Sequence, residues 1–69
     1  MYAKYAKLRD ERGLTDNAVA VATRIPQSTL YDWKQRSERD EKAALSFGHL
    51  VRIANYFGVS IEYFATKED

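Results

Sequence analysis

The chain has 69 residues, enough for one small domain and too few for a second core or an enclosed active-site cavity. A hydrophobic share of 45% beside 30% charged residues excludes intrinsic disorder, and no apolar run approaches the roughly 18 residues that a membrane span requires. With no cysteine, and with 11 Lys+Arg set against 10 Asp+Glu for a net charge of +1, disulfide frameworks and thiolate metal sites are excluded, while the charge total neither favours nor forbids a polyanionic partner.

In chain order, Tyr2 to Arg12 is rich in helix formers, with Tyr5, Ala6 and Leu8 spaced for one face, and Gly13 supplies a stop. Leu14 is expected as a buried linker residue. Thr15 stands in N-cap position, and Asp16 suits the positive end of a second helix that continues through Val19, Ala20, Ala22 and Thr23. Arg24-Ile25-Pro26 interrupts it, because proline fixes its own φ and drives Ile25 out of the α region. Gln27 to Gln35 predicts a third helix with Leu30 and Trp33 inward and Gln27, Ser28, Tyr31, Asp32 and Gln35 outward. The run from Arg36 to Lys42 has no apolar anchor and reads as a solvated loop or frayed end.

Ser46 is placed to cap a fourth helix with a stripe of Leu50, Ile53, Ala54 and Phe57, ended by Gly58. Val59 bridges to a short fifth helix capped by Ser60 and running from Ile61 to about Thr66, with Ile61 and Phe64 inward and Lys67 to Asp69 as a tail. No alternation lasts long enough for a sheet. The fold class is therefore all-α, five short helices in a single domain over 1–69, with a helix-turn-helix at about 15–36.

That segment, Leu14 through Ala20, Arg24-Ile25-Pro26, Leu30 and Trp33, puts a small residue at a steep helix crossing, then a short turn, then two inward apolar residues. Its spacing resembles the helix-turn-helix of the lambdoid phage repressor and Cro family, an XRE-like DNA-binding domain. Leu8 to Leu14 is similar to that family's first helix, and Leu50 to Phe64, with its Gly-Val-Ser ending, to its fourth and fifth.

The resemblance implies a compact lambda-repressor-like domain whose third helix enters the major groove of double-stranded DNA. Carried onto this chain, Gln27, Ser28 and Asp32 would read base edges: the glutamine amide suits adenine, and the aspartate can accept from cytosine N4. Thr29 and Tyr31 would offer hydroxyls to phosphate, or the Tyr31 ring to a thymine methyl. The N–H groups beside Thr15 and Asn17 would receive a phosphate, while Lys34, Arg36, Arg39 and Lys42 would hold the strand from the other side.

This sequence departs from the family at three places. Arg24 stands where glycine is usual and the turn wants a positive φ. Asp16 replaces a phosphate-bracing glutamine and places an acid towards the duplex. Lys34 stands where a glutamate usually pairs with an arginine matching Arg9, so Arg9 needs another partner. Residues 24–42 carry a local net charge of +1, which implies modest and salt-sensitive nonspecific affinity.

Trp33 is expected in the core, since it lies in phase with Leu30, and the lone His49 in solvent. Tyr2, Tyr56 and Tyr63 exceed what so small a core can hide. No nucleophile neighbours a base, no metal constellation is present, and no glycine loop cradles phosphate. An enzyme is thus not expected, nor a cofactor, a metal or a small-molecule substrate.

The function expected is a sequence-specific transcriptional regulator, by resemblance a repressor, binding a palindromic operator as a homodimer. Any dimer is expected to use the compact domain itself, through helix five and Tyr56, Tyr63 and Phe64. The alternative is an antitoxin-like or phage-encoded adaptor that keeps the fold for protein interaction with weak or no DNA binding, as Asp16, Asp32, Glu38, Asp40 and Glu41 suggest. The charged N-terminus lacks an export signal's apolar stretch, so the location expected is cytoplasmic.

Overall fold

A computed structural model describes residues 1–65 and holds five α-helices: α1 Tyr2–Glu11, α2 Asp16–Thr23, α3 Gln27–Arg39, α4 Phe47–Phe57 and α5 Ile61–Ala65. Among the described residues there is no strand, and no helix is long and apolar enough to cross a membrane. The tail expected at 67–69, and Thr66, lie outside the described residues.

The helix ends follow from local chemistry. Gly13 and Gly58 adopt φ of 65° and 71°, the left-handed conformation that glycine enters without a Cβ clash. In each turn the following residue reaches back, Leu14 N–H to Arg9 C=O and Val59 N–H to Ala54 C=O, both at 3.0 Å. Thr15 caps α2 through Oγ1, which accepts from Ala18 N–H at 3.1 Å. Ser46 occupies the corresponding position before α4, but its hydroxyl makes no capping bond.

The core gathers Tyr5, Leu8, Val19, Ala20, Ile25, Leu30, Trp33, Leu50, Ile53, Phe57 and Phe64. Trp33 lies at its centre with no exposed surface. Tyr2 and Tyr5 pack against its ring with centroids 5.2 and 5.3 Å away. Its indole N–H is satisfied by Ala43 C=O at 2.8 Å, as a buried donor requires.

Three expectations need correction. α3 runs one turn further than Gln35, to Arg39, because Arg36 bonds back to Asp32 one turn earlier and Ser37 Oγ donates to Lys34 C=O. The loop therefore begins at Asp40 rather than Arg36, and just past the charged run Ala43 and Leu45 are buried on alternate positions. Leu14 is only half-buried, covering the edge of the core rather than entering it.

Candidate nucleic-acid interface

α2 and α3 are joined by Arg24, Ile25 and Pro26. Arg24 takes φ 60° and ψ 33°, and its N–H caps Ala20 C=O; Ile25 N–H reaches the same carbonyl at 3.1 Å. Pro26 then supplies the first acceptor of α3, receiving Thr29 N–H at 2.9 Å. Ala20 is buried where the two helices meet, the close crossing that only a small side chain permits. With Leu30 and Trp33 anchored in the core, helical periodicity turns the opposite face of α3 outward.

On that face Gln27 and Ser28 are exposed in the first turn, followed by exposed Tyr31 and Asp32 and half-buried Gln35. Thr29 is half-buried on the flank, and Lys34 and Arg39 are exposed. Thr15 and Asn17 are exposed at the start of α2, but the Thr15 hydroxyl is engaged as the helix cap. Polar groups at the N-terminal end of α3 thus stand free of the core, in one row.

Two charges on this side differ from the sequence-based expectation. Arg36 is not a free cation: its Nε donates to Asp32 Oδ2 at 2.9 Å and its Nη2 to Ala44 C=O at 3.1 Å. Asp32 therefore carries a partially neutralised carboxylate whose other oxygen has no protein partner among the described residues. The Ala44 bond ties the helix to the loop, and the sequence held no sign of it.

Asp16, read as an acid facing the duplex, is instead turned inward. Its Oδ1 accepts from Tyr5 Oη and from Arg9 Nη1, each at 2.7 Å, and its Oδ2 from Tyr2 Oη at 3.2 Å. Partial burial pushes the carboxyl pKa up, but the bonds from Tyr5, Arg9 and Tyr2 and the Arg9 charge outweigh it, so the net displacement is downward. Burial first, then the bond to Asp16, raises the Tyr5 pKa, so the phenol stays a donor. This cluster supplies the partner that Arg9 lacked in the sequence, and the signal was the pairing itself: an arginine without its usual glutamate and an acid where glutamine is usual.

The residues expected at a pairing surface separate. Phe64 is 1% exposed and belongs to the core, so it offers no surface to a second chain. Tyr63 is half-buried beneath Lys4 Nζ, 4.8 Å from its ring centroid. Tyr56, on α4 rather than α5, is 40% exposed.

No curated protein and no solved structure matches this chain. A helix-turn-helix family model matches residues 6–64, from the middle of α1 to the penultimate residue of α5, and so takes in the α2–turn–α3 unit with the helices that support it. The chain therefore belongs to the XRE-type, lambda-repressor-like helix-turn-helix family of DNA-binding domains.

Proposed function

We propose that this DNA-binding regulator is a sequence-specific transcriptional repressor that inserts α3 into the major groove of an operator. The observation carrying this reading is the exposed row of Gln27, Ser28, Tyr31 and Asp32 on a helix anchored by buried Leu30 and Trp33. Gln27 would pair with adenine N6 and N7 and Asp32 with cytosine N4, each good pair discriminating by about 1–3 kcal/mol. Ser28, Thr29 and Tyr31 would add hydroxyl and ring contacts. Phosphate positioning would come from the start of α2, beside Thr15 and Asn17, and from Lys34 and Arg39. Arg36 contributes by holding Asp32 rather than by gripping the strand. Two copies would bind half-sites about 34 Å apart, pairing through Tyr56 and Tyr63.

Selection of preferred sites from a random duplex pool tests the reading. A recovered consensus with inverted symmetry is expected, and Gln27→Ala should blur one position while leaving affinity for random duplex in place. Recovery of no consensus would remove sequence-specific control as the function.

A further inference from the structure

Arg24 is the only non-glycine among the described residues with a positive φ. The two equivalent helix ends use glycine, at 13 and 58. A long side chain held in the left-handed region is strained, and strain of this kind persists where the side chain has work to do. Arg24 lines an open groove between the end of α2 and the outer face of α4, together with Thr23, Arg52, Asn55 and Tyr56. Arg52 Nη1 donates to Arg24 C=O at 3.4 Å, which fixes one guanidinium beside the other residue's backbone. No acidic side chain lines the groove. Among the described residues the ion pairs consume Arg9 and Arg36 but neither Arg24 nor Arg52.

Two arginines on one groove that no carboxylate lines leave their guanidiniums open to an external anion, and their place in the chain says which. Arg24 precedes Gln27 by three residues, at most about 10 Å of extended chain, so it lies beside the end of α3 that carries the base-reading amide. We propose that Arg24 and Arg52 form a phosphate-binding subsite that grips the DNA backbone next to the N-terminus of α3. The proposal rests on the DNA-reading function above and adds two residues outside the α3 face. Guanidinium forks suit phosphate oxygens geometrically as well as electrostatically, and a phosphate contact raises affinity for all sequences alike.

The test measures affinity for random duplex DNA by fluorescence anisotropy between 50 and 200 mM salt, with thermal melts of each variant. Arg24→Gln with Arg52→Gln should reduce the slope of log affinity against log salt by roughly two, since each phosphate contact adds about one, and should leave the selected consensus unchanged. Arg24→Gly separates binding from folding. Glycine relieves the backbone strain, so the melting temperature should rise while DNA affinity falls, a combination that a merely structural arginine would not give. Should the double variant fail to fold, Arg24→Gly alone decides the matter. An unchanged slope and affinity in a folded variant would overturn the subsite while leaving the DNA-reading function intact. Absence of any binding by the unaltered protein at the lowest salt would overturn both.

Discussion

Asp16 accepts three bonds from Tyr2, Tyr5 and Arg9 and thereby fastens the start of α2 to α1. An acid with this environment has a distinct pH signature. Its pKa is lower in the folded chain than in the unfolded one, so its contribution to stability is fully present above about pH 4, the unfolded value. That contribution is lost as pH falls through the folded value, because the unfolded chain then binds the proton more readily. At the alkaline end Tyr5, whose pKa is raised, adds stability that is present below about pH 10 and declines above it. Asp16→Asn is expected to lower the urea midpoint at neutral pH by the equivalent of about 1–3 kcal/mol, the scale of a hydrogen bond to a charged group, and to flatten the acid limb of the profile. Midpoints recorded from pH 3 to 8 for both proteins check this; an acid limb of equal steepness in the two would place its source elsewhere.

The α2–turn–α3 unit was legible because its determinants are local: Thr15 as cap, Pro26 as break, Leu30 and Trp33 one turn apart. The end of α3 was legible only in part: Asp32 and Arg36 stand at the i,i+4 spacing that supports a longer helix, whereas the bond from Arg36 to Ala44 C=O forms only in the fold. Ala43 and Leu45 are buried on alternate positions, an extended-chain pattern too short to stand out directly after the charged run from Arg36 to Lys42. Trp33 joins these two pieces, since its indole N–H donates to Ala43 C=O. Trp33→Phe retains most of the ring packing but leaves that carbonyl without its donor, so unfolding by urea should show a loss of about 1–3 kcal/mol. Leu30→Ala leaves a cavity under α3 and should lose about 2–5 kcal/mol, much or all of the stability expected of so small a domain. A native circular dichroism spectrum and an unshifted midpoint in Leu30→Ala would contradict the anchoring of α3 described above.

For the whole molecule, the candidate site was legible to the extent that it lies on one helix: Gln27, Ser28, Tyr31 and Asp32 share a face by periodicity alone. Which charges remain available to DNA was not legible, because Asp16 and Arg36 are taken up by partners distant in sequence or across a turn, and Arg52 meets Arg24 only through the fold. Pairing of two copies is likewise a matter of the folded surface. With Phe64 inside the core, Tyr56 and Tyr63 are what remains of the expected contact, a small area for a dimer that is stable free in solution, where standard interfaces bury about 1,600 Å² in total.

Under the proposed function, pairing would be assisted by the operator, the duplex holding two copies at a separation that lets these tyrosines meet. Affinity would then depend on the helical phase of the half-sites. Insertion of about half a turn, five base pairs, between them would carry the second copy to the opposite side of the duplex, since one turn is about 10–10.5 base pairs. Each copy would then bind alone, and the apparent affinity for the tandem site should fall roughly tenfold or more, the equivalent of at least 1.4 kcal/mol of lost coupling. A ten-base-pair insertion restores the phase but not the distance, so affinity should stay low there as well if the tyrosine contact is direct. Equal affinity for all three spacings in an electrophoretic titration would mean that the copies bind independently.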